Sequence, residues 1–207
     1  MRKTFYLLLL NCFFVTTIYS QNNYSQGYVV NHNNDTISGL ILDTQNAEMY
    51  NRVHFKDAMG NESILTTGSI KMYKVNNDTY YRKMYPYSYD AYYFFKLKES
   101  GTIKLYEFIR SPGQSLAGNL KGNTYGANST GVTYGDPINR DPNLITFIEK
   151  NKKFRVVNWA NFIKLMKVFI KDDKELLEKL FNNEYEATDF YKLVEEYNNR
   201  NKKGADN

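Results

Sequence analysis

FRVVNWANFIKLMKVFIK, residues 154–171, changes period part-way along. Phe154 to Val157 reads as a short strand. From Trp159 the apolar residues fall at helical spacing: Trp159, Phe162, Ile163, Met166, Phe169 and Ile170 form one stripe, while Lys164, Lys167 and Lys171 lie off it. The chain therefore passes from β to α near residue 158, and the two sides of that point have different patterns.

Upstream, short segments with strand character alternate with Asn, Asp and Gly turns. Gly27 to Val30 and Thr36 to Leu42 flank the polar cluster 31–35, a hairpin signal. Arg52 to Lys56 alternates, with Val53 and Phe55 on one side. Glu62 to Thr66, a strand from Ile70 to about Val75, and Thr79 to Met84 follow. Tyr92 to Leu97 pairs with Thr102 to Ile109, and Leu144 to Lys150 with Phe154 to Val157 around Asn151-Lys152. Downstream, Asp172 stands three residues before Glu175 and is expected to cap a short helix carrying Leu176, Leu177, Leu180 and Phe181. Thr188 is expected to cap a third, whose Phe190, Leu193, Val194 and Tyr197 share a face.

Strands followed by helices indicate an α+β fold with a mainly antiparallel sheet. The pattern predicts a curled sheet, barrel-like or a sandwich, with its open end covered by about three C-terminal helices. The expected organisation is a β region over 21–158, a helical region over 159–200 and a frayed polar tail, assigned to 201–207 but polar from Asn198 onward.

The first twenty residues read as an export signal. Arg2 and Lys3 precede an apolar run, and Ile18-Tyr19-Ser20 offers a cleavage site ahead of Gln21. The run is too short for a membrane span and is interrupted by Asn11, so no transmembrane anchor is expected after signal removal. Cys12, the single cysteine, lies inside this run and is expected to leave with it. The remaining chain would have no thiol chemistry and no disulfide. Removal of Arg2 and Lys3 lowers the net charge from +5 to +3. That excess reads as spread along the chain, which argues against a nucleic-acid partner. The expected location is the periplasm or the cell surface.

The order of features resembles a group of exported proteins from Bacteroidota-type bacteria. The likeness rests on Gly27-Tyr28-Val29-Val30, Asn34-Asp35-Thr36-Ile37-Ser38-Gly39-Leu40-Ile41, Val53-His54-Phe55-Lys56-Asp57, Gly101-Thr102-Ile103-Lys104-Leu105-Tyr106-Glu107, and the helical end from Phe162 to Asn198. The group is a domain of unknown function, sometimes placed ahead of an outer-membrane β-barrel. The resemblance implies export and an α+β fold, and it supplies no catalytic residue.

Two segments invite a functional reading. Positions 111–142 form a Gly-rich loop, with six of the twelve glycines between Gly113 and Gly135. A loop of this length is a mobile connection or a binding lid, and Lys121-Gly122-Asn123 has the wrong order for a phosphate loop. Between Thr79 and Phe95 stand seven of nineteen tyrosines. Tyr85, Tyr87 and Tyr89 alternate and would share one face of an extended stretch, so with Tyr92 and Tyr93 they form a candidate contact surface. The favoured reading has these rings cover the end of a small core and satisfy their hydroxyls at the surface, since aromatics are enriched in strands. His32 and His54 have no partners at zinc-ligand spacing. Asp35-Thr36-Ile37 resembles a short O-glycosylation acceptor, but the favoured reading is a threonine that merely follows a turn aspartate. No catalytic residue, cofactor site or metal site is expected. The sequence favours a non-catalytic envelope protein that contacts another protein, the alternative being a glycan- or small-ligand-binding module.

Overall fold

The computed structural model describes residues 24–42, 51–86, 91–109 and 144–203. The expected export signal with Cys12, the Gly-rich loop, Tyr87 and Tyr89 lie outside these residues. Ten strands form one antiparallel sheet: β1 (Tyr24–Asn31), β2 (Thr36–Leu42), β3 (Arg52–Lys56), β4 (Glu62–Thr66), β5 (Ile70–Val75), β6 (Asp78–Met84), β7 (Tyr92–Glu99), β8 (Lys104–Ile109), β9 (Leu144–Lys150) and β10 (Lys153–Val157). Three helices follow, α1 (Phe162–Phe169), α2 (Lys174–Phe181) and α3 (Phe190–Lys203), with a 3-10 turn, Ala187–Asp189, leading into the last. The fold is α+β, sheet then helices. Among the described residues no helix is long and apolar enough to cross a membrane.

Turn chemistry sets the hairpins. Asn31 accepts from the N–H groups of Asn33 and Asp35, and Asp57 accepts in the same way from Met59 and Asn61. Asn34 (φ 74°) and Gly60 (φ 87°) provide the left-handed residue in each of these turns. Asn151 and Lys152 both take positive φ, 51° and 65°, as a two-residue hairpin turn between β9 and β10 requires.

The strand order is β10-β9-β8-β7-β6-β5-β1-β2-β3-β4. This order forces a curl. In a flat sheet β4 would lie four spacings, roughly 19 Å, from β5. The three-residue link 67–69 reaches at most about 14 Å, and it is drawn tighter by the Ser69 N–H donating to the Thr66 carbonyl. The β5-β1-β2-β3-β4 half therefore rolls up without closing. Gly27 and Gly39 face each other across β1 and β2 on the inside of the roll. A Cβ on Gly39 would stand 2.5 Å from the Phe55 ring, and one on Gly27 would stand 2.2 Å from the Lys74 carbonyl oxygen. Val29, Ile41, Val53, Phe55, Ile70 and Val75 fill the interior.

The helices do not cover the open end of this roll, contrary to the expectation. They pack at the other end of the sheet, on Leu105, Ile148 and Val157 of β8–β10. The alternation of β8–β10 explains why: the residues between these, Tyr106, Phe147 and Val156, belong to a second apolar cluster on the opposite face.

The helix boundaries differ from the sequence reading in three ways. Asp173 rather than Asp172 caps α2, accepting from the Leu176 N–H. Glu186 and Asp189 form a reciprocal capping box ahead of α3, so Thr188 is not the cap. The chain from Asn198 to Lys203 is helical rather than frayed, because Asn198 is buried and bonded to both the N–H and the carbonyl of Ile103 at 2.8 Å.

Candidate functional site

The nominated tyrosines do not gather on one surface. Tyr85 continues the β6–β7 hairpin, its N–H donating to the Ala91 carbonyl at 2.8 Å. Alternation from Tyr81 and Lys83 turns its side chain into the cluster on the face opposite the helices. There it is only 5% exposed, its ring about 6 Å from those of Tyr93, Phe108 and Phe147. Tyr93 packs in the same cluster. Tyr92, one residue earlier, points to the other face, where the Arg82 guanidinium lies 3.3 Å from its ring centroid. The reading of Tyr85 as a contact residue is thus corrected: its ring is core. Tyr87 and Tyr89 lie outside the described residues.

Several ionisable clusters tie the elements together. Lys83 donates to both carboxylate oxygens of Glu149 at 2.8 and 2.7 Å, and Tyr106 donates to the same carboxylate at 2.8 Å. Burial alone would raise the Glu149 carboxyl, but the bonds from Lys83 and Tyr106 outweigh it and hold it below its usual range. Burial, with the adjacent carboxylate, pushes the Tyr106 phenol well above its usual range, so it remains a donor. On the helix side, Lys150 donates to Asp172 and to the Phe169 carbonyl, and Tyr197 donates to Asp172 at 2.9 Å. Arg200 spans Asp173 and Glu175, and Lys179 pairs with Glu196, which also accepts from Tyr185. Burial and the Glu196 carboxylate push the Tyr185 phenol up to about 12.

These arrangements hold protons rather than move them. Each carboxylate named is depressed or engaged by a cation, each phenol is raised, and none of these pairs couples a nucleophile to a base. Among the described residues no group of three His, Cys, Asp or Glu side chains converges as metal ligands. His32 lies near the Thr67 carbonyl at 3.3 Å. Two shallow concavities lie over the Arg200 network, one lined by Lys192, Glu195 and Glu196, the other by Asp172, Asp173 and Glu175.

A different surface stands out on the helices. Trp159 is 46% exposed, Ile163 37%, Val168 50% and Phe181 55%. The sequence reading placed Trp159, Ile163 and Phe181 on core-facing stripes, and the structure turns all three outward. Asn158 and Asn161 explain the start of this surface. Each accepts the other's N–H at 2.9 Å, and the Asn161 amide donates to the Val156 carbonyl, so α1 begins only at Phe162 and Trp159 is left in the preceding turn. Those two asparagines, spaced by three, were the signal in the sequence. Lys164 is exposed and Lys167 half-buried on the outer side of α1, with the Lys167 ammonium 4.2 Å from the centroid of the Phe181 ring, and Lys171 is exposed in the turn that follows. The helix segment 162–169 contains no acidic residue.

No protein-family model, curated protein or solved structure matches this chain.

Proposed function

We propose that this is an exported, non-catalytic envelope protein that acts by surface contact, and that the contact is made by the exposed side of α1 with the end of α2. The observation that carries the reading is four large apolar side chains, Trp159, Ile163, Val168 and Phe181, left exposed among lysines on adjoining helices. Exposed apolar groups with a polar rim are what contact sites use. Export is supported by the pattern of residues 1–20 and by the resemblance to exported Bacteroidota-type domains. In cells, a photo-crosslinking residue at Ile163 or Val168 should form adducts in the envelope fraction, while one at exposed Met59, far along the sheet, should not. Equal labelling from all three sites would remove the claim of this surface. The N-terminus of the purified protein should be Gln21 or its neighbour.

A second reading, a small-ligand or glycan module, is favoured by Arg82. Among the described residues its buried Nε has no hydrogen-bond partner, and its guanidinium lies on Tyr92, a pairing that suits a carboxylate-bearing ligand. A thermal-shift screen with acidic sugars tests it: a stabilising hit abolished by Arg82→Gln supports the module, and the absence of any hit counts against it.

A further inference from the structure

We infer that the exposed side of α1 docks on an anionic lipid surface. This rests on the contact reading above and names the partner. One side of α1 is fixed in the core by Phe162, Met166 and Phe169. Taken at about 100° per residue, the opposite side carries Lys164 and Lys167, with Ile163 on one flank and Val168 on the other, and Lys171 is exposed in the turn just after the helix. Trp159 precedes these residues and Phe181 lies beside them. Lysine stems can lie along apolar surface while the ammonium reaches headgroup phosphates, and tryptophan favours the same boundary.

The charge on this side is not neutralised by the fold. The two acids that follow α1 are held elsewhere, Asp172 by Lys150 and Tyr197, Asp173 by Arg200 and the N-terminus of α2. Lys164, Lys167 and Lys171 form no salt bridge among the described residues. Geometry favours lipid: the surface is the outward, convex side of a two-turn helix. A convex ridge of lysines with flanking apolar groups suits a layer of phosphates into which side chains can sink. The lysines should dominate affinity, each contributing roughly fivefold at an anionic leaflet.

Trp159 is the single tryptophan of the chain and stands on this surface, so it reports contact directly. The full chain is mixed with vesicles of phosphatidylglycerol and phosphatidylcholine, or of phosphatidylcholine alone, some carrying a lipid-attached quencher. Anionic vesicles should blue-shift and quench Trp159, with binding that weakens as salt is raised. The triple variant K164Q/K167Q/K171Q should bind roughly a hundredfold more weakly, with an unchanged circular dichroism spectrum. A second variant, V168S/F181S, keeps the lysines and should lose quenching depth. Sedimentation with vesicles without quenching of Trp159 would place the contact elsewhere on the chain and overturn the inference. Equal binding to neutral vesicles would overturn it too. If anionic vesicles leave Trp159 unchanged while Ile163 crosslinks to an acidic protein, the lipid assignment fails and the contact reading stands. If neither occurs, both fail.

Discussion

Asn198 and Gly101 give the sharpest test of how the helices are fastened to the sheet. The Asn198 amide sits in the core end of α3, with Oδ1 accepting the Ile103 N–H and Nδ2 donating to the Ile103 carbonyl, both at 2.8 Å. It does for the turn between β7 and β8 what a neighbouring strand would do. Asn198→Ala leaves both backbone groups of Ile103 buried and unpaired, at a cost of about 1–2 kcal/mol each, or about 2–4 kcal/mol together. Gly101 lies against the same amide. A Cβ there would stand 2.4 Å from Cγ and 2.6 Å from Nδ2 of Asn198, so Gly101→Ala must displace the amide and lose much of the same bonding. The two substitutions are therefore coupled. Each alone should destabilise by about 2–4 kcal/mol, and the pair by little more than the worse of the two, since Asn198→Ala clears the space the new methyl needs. Urea unfolding followed by Trp159 fluorescence, with equal m-values across the four proteins, gives the coupling. Additivity within about 0.5 kcal/mol would show that the amide is not the shared element.

Tyr85→Ala should cost about 3 kcal/mol or more, as removal of a packed aromatic does, whereas Ile163→Ser should fall within about 0.5 kcal/mol; thermal melts of the two separate core from surface. Gly39→Ala should destabilise by about 1–3 kcal/mol through overpacking on Phe55. Phe55→Leu should restore only part of that loss, because the Lys56 carbonyl oxygen, 2.4 Å from the new Cβ, is backbone. Acid should unfold the protein in a defined window. Glu149, Asp172 and Glu196 all have carboxyls held below their usual range, so the stability they contribute is present above the unfolded-state values, about 4, and is lost as pH falls through the lower folded-state values. Thermal midpoints should be flat from neutral pH to about 5 and then fall. Glu149→Gln should lower the plateau and make the acid limb shallower, and an unchanged limb would refute the assignment.

Most strands were legible because each carried its own punctuation. Asn31, Asp57 and the Asn151-Lys152 pair turn the chain by local side-chain or left-handed geometry, and such geometry depends on residues next to one another. The curl was legible only as a class. Its cause is the return of β5 to the side of β1, a pairing between segments about forty residues apart that no local pattern encodes. Periodicity likewise found the helical stripes but overextended them. Trp159 fits the 3.6-residue spacing, yet Asn158 and Asn161 start the helix after it, and a residue outside a helix does not follow its face. Phe181 fails for the reason of position: it is the last residue of α2, beyond the part that packs on the core. Asn198 was misread because a polar residue near a polar tail looks solvated. Its partner is the backbone of Ile103, 95 positions away in the chain.

The lysines of α1 acquire meaning from the same long-range pairing. Counted along the sequence, the positive excess looks dispersed. The fold then partitions it. Lys150, Lys179 and Arg200 pair with Asp172, Glu196, Asp173 and Glu175 of the helical region, while Lys83 pairs with Glu149 on the opposite face of the sheet. Lys164 and Lys167 of α1, with Lys171 just after it, are left without an acidic partner among the described residues, beside aromatic and aliphatic neighbours. A packing arrangement that consumes counterions inside the helical layer therefore creates an uncompensated basic surface outside it, even though the net charge of the chain is only +5. Fold stability and surface contact thus rest on different cations in the same helical region. Neutralising Lys164, Lys167 and Lys171 should touch the contact and leave the fold, whereas removing Lys150 or Arg200 should do the reverse.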